Sequence, residues 1–195
     1  MDLTRDKTTR WSPFTHYVVK DVFCEKELSE IRKLDLELHS GKLNGERASN
    51  QNRFFITKSN INDNFIFERI IDYFSRDSVI EMFEKESGRS IRGNYLRVEF
   101  LEDKESSWLE PHCDIEEKLV SLIIYLNDTD EDEKNGTVLY NEDMMKVRTV
   151  PFIDNSGFYF FAGKNTWHGL EPVEVKHSRK AIMVNYCTFE TEFSL

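Results

Sequence analysis

Residues 110–128 read EPHCDIEEKLVSLIIYLND, in which a histidine and an aspartate stand two positions apart, just ahead of a long apolar run. An apolar run of this kind, bounded by polar residues, is typical of a strand in a protein core. Residues i and i+2 of a strand face the same way, so we expect His112 and Asp114 to point together and Cys113 to turn to the opposite side. The pair is either part of a polar turn or two-thirds of a metal site.

The sequence around this strand also consists of segments typical of strands. From residue 93 onward, short apolar or alternating segments are separated by turn residues. In order, they are NYLRVEFL, KLVSLIIYLN, GTVLYN, MKVRTVPF, GFYFFA, WHGLEPVEV and RKAIMVNYCTF. Seven such segments within about 100 residues predict an all-β sandwich or barrel, with the preceding helices packed on one side. The strand pattern alone does not choose between a jelly roll and other sandwiches.

Helical spacing dominates the sequence before residue 93. Residues 25–39 carry apolar side chains at positions 28, 31, 34 and 38, which predicts one amphipathic helix. Residues 64–87 carry the same spacing and predict two helices that are separated near SRDS. The second helix is expected to end at Gly88, because glycine adopts the left-handed conformation that closes many helices.

The remaining N-terminal segments are short. FTHYVVKDVF at 14–23 and RFFIT at 53–57 predict strands, because they mix aromatic and β-branched residues, and SGKLNGERASNQN at 40–52 predicts a polar loop. We find no internal repeat, low-complexity tract or Pro/Gly-rich linker. The sequence therefore predicts a single domain, 1–195.

The composition argues against several function classes. A net charge of −10 disfavours a nucleic-acid partner or an anionic membrane surface, because both require a basic patch. Three widely spaced cysteines without a CxxC pattern indicate a reducing compartment and no disulfide framework. The polar N-terminal sequence suggests no signal peptide, and no run reaches the roughly 18 apolar residues of a membrane span. We therefore expect a soluble, cytoplasmic protein, and its oligomeric state does not follow from the sequence.

A third metal ligand for His112 and Asp114 has to come from a distant strand, and His168 is the candidate. It follows the hairpin-like AGKN turn in FFAGKNTWHGLEPVEV. Two histidines and one carboxylate occupy one face of an octahedral metal and leave three positions open, which is typical of non-haem iron(II) oxygen chemistry. The alternatives are a surface turn with an Asx-type hydrogen bond for the first pair and a hydrogen-bonded hairpin histidine for His168.

Arg179 opens an otherwise apolar strand in HSRKAIMVNY, where a guanidinium group is costly to bury without an anionic partner. Its planar fork suits a carboxylate, so it could hold the distal end of a keto acid that chelates a metal at the other end. The alternative is that Arg179 caps the strand and pairs with Glu171 or Glu174.

Taken together, these motifs resemble the Fe(II)/2-oxoglutarate-dependent oxygenases, in particular the compact branch of prolyl 4-hydroxylase-like catalytic domains. The resemblance covers nearly the whole chain. HYVVKDVFCEKELSEIRKL is similar to the family's opening strand and helix, PHCD to the first two ligands, and LVSLIIYLND to the strand that follows them. NGTVLY is similar to the glycine-containing strand start, GFYFFAGKNTWHGLEPV to the segment with the distal histidine, and Arg179 stands at the position of the basic co-substrate anchor.

The resemblance implies a mainly β fold with flanking helices, a cupin-like jelly roll or double-stranded β-helix. Helical support would lie mainly in 25–88 and the jelly-roll core in 93–190. It also implies the residue roles, with His112, Asp114 and His168 as catalytic iron ligands and with Arg179 and Tyr125 binding 2-oxoglutarate. The cofactors implied are Fe(II), 2-oxoglutarate and O2, with ascorbate as a supporting reductant. The reaction implied is a hydroxylation that releases succinate and CO2.

The substrate is less defined, because the chain departs from the family pattern where specificity is set. Phe100 and an acidic insertion replace the usual tyrosine and glycine-rich loop, and the doubled glycine is reduced to Asn135-Gly136. We expect hydroxylation of an unactivated C–H of a small molecule, such as an amino acid, a sugar or a natural-product intermediate. A prolyl-type protein hydroxylase and a non-catalytic jelly-roll binding protein are the alternatives. A side chain as large as that of Asp114 favours hydroxylation over halogenation, and desaturation or ring closure would use the same ligands.

Three residues are candidates for substrate contact. Asn185 is a polar residue on the apolar strand of Arg179, Trp108 precedes the ligand pair, and Arg97 shares one strand face with Glu99. Each has a structural alternative: a hydrogen bond to a neighbouring strand for Asn185, core packing for Trp108, and a simple surface ion pair for Arg97.

Overall fold

The computed structural model of the protein describes residues 1–36, 38, 44, 45 and 52–195. The strands of these residues are β1 Asp6–Arg10, β2 His16–Lys20, β3 Asn44–Gly45, β4 Arg53–Ile56, β5 Tyr95–Asp103, β6 Trp108–His112, β7 Lys118–Leu126, β8 Thr137–Tyr140, β9 Lys146–Val150, β10 Ser156–Phe160, β11 His168–Leu170 and β12 Arg179–Cys187. The helices are α1 Glu25–Arg32, α2 Phe65–Phe74 and α3 Asp77–Ser87, with 3-10 turns at Ile61–Asp63 and Glu133–Asn135.

The strands form two sheets. The larger has the order β1-β2-β10-β7-β12-β5-β4, and the smaller has the order β3-β6-β11-β8-β9. All pairings are antiparallel except the short parallel pair of β3 and β6. β7 lies in the middle of the larger sheet and is buried at every position, as its apolar run requires.

The larger sheet is covered by the helices on one face and by the smaller sheet on the other. Ile70, Phe74 and Phe83 from the helices share one buried cluster with Ile124 and Ile182 of the central strands. On the opposite face, a second cluster fills the space between the sheets, and it includes Tyr125, Leu139, Phe152 and Phe158. The prediction of a mainly β protein with helices packed on one sheet is confirmed.

The two helices predicted in 64–87 are confirmed, and each end has a local cause. Asn64 caps α2, because its side chain accepts a hydrogen bond from the Ile66 backbone N–H. Gly88 ends α3 with φ 68°, a left-handed conformation that a residue with a Cβ adopts only at a cost.

The helix predicted over residues 25–39 is shorter than expected, because α1 ends at Arg32 and residues 33–36 and 38 are not helical; residues 37 and 39 lie outside the described residues. The cause is a change of period. Leu28 and Ile31 face the core, whereas Leu34, Leu36 and Leu38 alternate with charged residues in the manner of extended chain. Leu34 and Leu36 pack against the same core without helical structure.

Four further segments differ from the expectation or lie largely outside the described residues. β1 and β6 are strands that the sequence patterns did not predict, and the strand predicted from WHGLEPVEV is limited to β11. The predicted polar loop at 40–52 lies outside the described residues, apart from β3 and Asn52. None of the described helices has the length and apolar character needed to span a membrane.

Candidate active site

The predicted metal ligands meet because of the pairing of two strands. His112 ends β6, His168 begins β11, and the two residues are direct partners in the antiparallel register of these strands. Asp114 follows two residues beyond the end of β6 and is buried. One ligand atom from each of the three side chains lies within 4.8 Å of the others. The Nε2 atom of His168 is 3.9 Å from Oδ2 of Asp114.

The backbone holds both imidazole rings in the orientation that metal binding needs. Nδ1 of His112 lies 2.9 Å from the carbonyl oxygen of Glu110, and Nδ1 of His168 lies 2.9 Å from that of Thr166. Because a carbonyl oxygen only accepts, Nδ1 must carry the proton in each ring, and Nε2 keeps its lone pair. This is the tautomer of a histidine that binds a metal through Nε2. The ring of Phe160 packs edge-on against the His168 ring, with 4.9 Å between the ring centres, and supports its orientation.

Asp114 is held by a lysine from the same turn. Nζ of Lys118 donates to Oδ1 of Asp114 at 3.1 Å, and both side chains are almost fully buried. The contact fixes the position of the Asp114 carboxylate next to the two imidazole rings. The two imidazoles and this carboxylate form the donor set that suits iron(II), so the residues fit the metal that the sequence predicts.

Arg179 is buried in the floor of the site and has a different partner from either alternative considered above. Nη1 donates to Asp103 Oδ2 at 2.6 Å, Nε donates to the carbonyl oxygen of Asn135 at 2.7 Å, and Nη2 lies 3.4 Å from Thr137 Oγ1. Asp103 is the direct partner of Arg179 in the register of β5 and β12. The guanidinium is also 5.4 Å from the centre of the Tyr125 ring, within the range of a cation–π contact.

The suggested pairing of Arg179 with Glu171 or Glu174 does not occur. Glu171 pairs with Lys146, and Glu174 pairs with Lys134, both at the surface. The guanidinium of Arg179 instead pairs with Asp103, on the neighbouring strand of the larger sheet.

Tyr125 lies behind Thr137. Its hydroxyl group donates to Thr137 Oγ1 at 2.9 Å and accepts from the Thr137 backbone N–H at 3.0 Å, and the side chain is fully buried. Burial raises the pKa of this phenol, so it remains a neutral donor. Thr137 lines the cavity described next, whereas Tyr125 does not. The direct contact of Tyr125 with 2-oxoglutarate stays a prediction.

One cavity connects the three predicted ligands with Arg179. It has a volume of about 350 Å³, and its walls include all four side chains. Leu109, Ile123, Met183 and Phe189 supply its apolar surface. The predicted ligands and the predicted co-substrate anchor therefore face a common space.

The three candidates for substrate contact have different positions. Arg97 lines the cavity. Asn185 is fully buried behind the wall and donates to Oε1 of Glu99 at 3.2 Å. Trp108 is 40% exposed on the strand that leads to His112 and is not part of the cavity wall. The core packing considered for Trp108 does not occur either.

The sequence analysis missed three charged residues of the cavity wall: Arg53, Asp103 and Lys118. Arg53 begins the short strand RFFI, and Lys118 begins the buried strand β7. Both repeat the signal that identified Arg179, a cation at the end of an apolar strand. Asp103 lies in the acidic insertion that the sequence marked as a departure from the family, and its spacing from Arg97 could have placed it on the same strand face.

The chain is similar in fold to several solved structures. A prolyl-4-hydroxylase from Pseudomonas putida covers 89% of this chain and 92% of its own length, with a TM-score of 0.64 and 13% identity. A prolyl hydroxylase from Trichoplax adhaerens, in complex with a hypoxia inducible factor peptide fragment, covers 89% and 83%, with a TM-score of 0.57 and 17% identity. The α-ketoglutarate-dependent epimerase SnoN of nogalamycin biosynthesis covers 88% and 76%, with a TM-score of 0.57 and 16% identity. At these identities the likeness shows the fold alone, and it confirms the predicted jelly roll.

Sequence comparison gives the family. No curated protein matches the chain significantly. The sequence model of the 2OG-Fe(II) oxygenase superfamily matches residues 96–187, a segment that contains the two histidines, the aspartate and the buried arginine described above. Residues 96–187 therefore form a domain of the 2OG-Fe(II) oxygenase superfamily, whose members are dioxygenases that depend on iron(II), 2-oxoglutarate and O2.

Proposed function

We propose that the protein hydroxylates an unactivated C–H bond of a small molecule, with His112, Asp114 and His168 as the iron ligands and Arg179 as the anchor of 2-oxoglutarate. The observation that carries the proposal is the meeting of these four side chains in one cavity. Bound iron(II) with 2-oxoglutarate and O2 supplies the oxidising power for the C–H bond, and 2-oxoglutarate leaves as succinate and CO2.

The residues of the chain bind and orient the reactants. The two imidazoles are held in one tautomer by the carbonyl groups of Glu110 and Thr166, and Lys118 holds the carboxylate of Asp114. Arg179 presents its guanidinium from a buried position, where an ionic hydrogen bond to a carboxylate is strong because water is excluded. Leu109, Ile123 and Phe189 give part of the remaining wall an apolar surface.

The size of the cavity supports a small substrate. Its volume of about 350 Å³ lies near the lower end of the range of roughly 300–1,000 Å³ for ligand pockets. The alternative of a protein substrate requires a long groove, which we would expect along the loops 40–52 and 58–63. Much of 40–52 lies outside the described residues, and residues 58–63 do not line the cavity. Substrate screening therefore has to include peptides.

The proposal is tested by measuring metal binding and turnover separately. Binding of Mn(II), a stable substitute for iron(II), is followed by electron paramagnetic resonance, and succinate is measured by NMR with iron(II), ascorbate and 2-oxoglutarate. His112→Ala and His168→Ala should lose both metal binding and succinate formation. His177→Ala, which removes an exposed imidazole on a loop, is the matched control and should retain both.

Two outcomes would contradict the proposal. If the purified protein binds Mn(II) but never forms succinate, even without a substrate, a non-catalytic binding protein is the better description. If prolyl peptides stimulate succinate formation and metabolites do not, the substrate is a protein.

A further inference from the structure

The wall of the cavity carries a second group of charged residues, the arginine pair Arg53 and Arg97, which contacts the fully buried Glu99 behind the wall. We infer that this pair binds a carboxylate of the substrate, so that the substrate is a small monocarboxylic acid with an apolar body. The inference rests on the proposed function, because it names the substrate class for the same cavity.

The arginine pair is distinct from the 2-oxoglutarate anchor. Arg97 and Asp103 lie on one face of β5, six residues apart, which corresponds to about 20 Å of strand. Asp103 is the partner of Arg179, whereas Arg97 is opposite Asn185 near the other end of the same strand pair. A five-carbon diacid held by Arg179 is shorter than this separation. Arg97 therefore remains available to a second molecule.

The pair has more positive charge than its own carboxylate can balance. Glu99 is fully buried, accepts from Arg53 Nη1 at 2.6 Å, and lies 3.5 Å from Arg97 Nη2. Burial raises the pKa of Glu99, but the charges of Arg53 and Arg97 outweigh this effect, so the pKa lies below its ordinary value and the group is an anion. One carboxylate therefore faces two guanidinium groups.

Arg97 also has an unused donor. Its Nε atom is buried and makes no hydrogen bond to any described residue, while the side chain as a whole is 21% exposed to the cavity side. A buried donor of a charged group is costly to leave without an acceptor. A carboxylate bound at this position would supply the acceptor and the missing negative charge together.

The charge balance among the described residues of the cavity wall supports the same conclusion. Among the described residues of its wall, Arg179 is balanced by Asp103 and Lys118 by Asp114. The arginine pair with Glu99 leaves one positive charge. Iron(II) and the 2-oxoglutarate dianion cancel each other, so this single charge remains when both are bound. The described residues of this cavity wall are thus net cationic, although the chain as a whole has a net charge of −10.

A monocarboxylate fits this balance better than a phosphate ester does. A phosphate monoester carries about 1.5 to 2 negative charges near pH 7, whereas one carboxylate carries one. The planar fork of an arginine also matches the two oxygens of a carboxylate. The apolar walls of Leu109, Ile123 and Met183 can accommodate the rest of the molecule.

The test measures binding without requiring turnover. Saturation-transfer NMR on the purified full chain uses three probes of similar shape: 3-phenylpropanoic acid, its primary amide and phenyl phosphate. The acid should bind, and the amide should bind at least about tenfold more weakly, because it lacks the charge. Arg97→Gln and Arg53→Gln should each weaken binding of the acid by about tenfold, and Arg97→Lys should restore part of it.

Glu99→Gln separates a specific effect from damage to the fold. This variant keeps both guanidinium groups and removes their internal partner, so binding of the acid should become tighter, whereas a disturbed cavity would weaken it. Arg92→Gln is the matched control, because Arg92 pairs with Asp77 on the surface, and binding should stay unchanged.

The inference is overturned if the amide or the phosphate binds as well as the acid. It is also overturned if binding of the acid depends on Arg179 alone and not on the arginine pair. Failure of the proposed function gives a different result. If the protein binds the acid through Arg97 but forms no succinate, the anion site is supported and the hydroxylase function is rejected. Conversely, if only uncharged compounds stimulate succinate formation, the hydroxylase function is supported and a carboxylic acid as the substrate is rejected.

Discussion

Asp103 shares the guanidinium of Arg179 with the co-substrate in the proposed function, and the substitution Asp103→Asn tests this arrangement. In the structure, the two side chains are almost fully buried, and Nη1 lies 2.6 Å from Oδ2. An asparagine keeps the shape and an oxygen acceptor but removes the negative charge that opposes the distal carboxylate of 2-oxoglutarate. We therefore expect the substitution to strengthen binding of 2-oxoglutarate. It should also lower the free energy of unfolding of the ligand-free protein.

The magnitude follows from the type of hydrogen bond. A bond to a charged group contributes about 1.5–3 kcal/mol and a neutral one about 0.5–1.5 kcal/mol, so the amide is a weaker competitor by about 1 kcal/mol. That difference corresponds to about a fivefold lower KM for 2-oxoglutarate. The free energy of unfolding without ligand should fall by a similar amount of about 1 kcal/mol, because Arg179 stays buried with a weaker partner.

The assay is steady-state succinate formation at varied 2-oxoglutarate, combined with urea denaturation of the ligand-free protein. Asp77→Asn is the control, because Asp77 pairs with Arg92 on the surface, and it should change neither quantity. A higher KM in Asp103→Asn, with kcat unchanged, would refute the reasoning. It would mean that Asp103 positions Arg179 for the co-substrate instead of competing with it.

Three further predictions concern stability. Tyr125→Phe removes the acceptor of the buried Thr137 N–H and the donor to Thr137 Oγ1, so the free energy of unfolding should fall by about 1–3 kcal/mol, as measured by urea denaturation; no loss would mean that water replaces the hydroxyl. Because the pKa of Glu99 is depressed in the folded state, its stabilisation is present above the ordinary glutamate pKa of about 4.3 and is lost as the pH falls further. The stability difference between the wild type and Glu99→Gln should therefore shrink between about pH 6 and about pH 3, and a constant difference would contradict the charge assignment. Gly157→Ala should destabilise the protein by about 1–3 kcal/mol or more, because its Cβ would lie 1.9 Å from the Ile123 carbonyl oxygen, whereas Gly163→Ala, with its nearest neighbour at 3.8 Å, should be tolerated in the same thermal unfolding assay.

Most of the strand pattern and the residues now proposed as iron ligands could be predicted from local spacing. The apolar run of β7 identifies a central strand, and the two-residue spacing of His112 and Asp114 marks them as a candidate ligand pair. Strand alternation is not what brings the two side chains together, because β6 ends at His112 and Asp114 lies in the chain beyond it. The extent of α1 could not be predicted as well, because Leu34 and Leu38 satisfy a helical period and an alternating one equally. Leu34 and Leu36 pack against the core without helical structure, and tertiary contacts override the weaker local preference.

The partners of the buried charges were decided by the tertiary structure alone. Arg179 had two glutamates nearby in sequence as plausible partners, but the register of β5 and β12 puts Asp103, from much earlier in the chain, directly opposite. The sequence by itself determined most of the strands, though not β1 and β6, and which residue types could bind a metal, because these depend on periodicity and side-chain chemistry. The order and register of the strands determined which charges meet in the cavity, because residues far apart along the chain become neighbours only when the sheets are assembled.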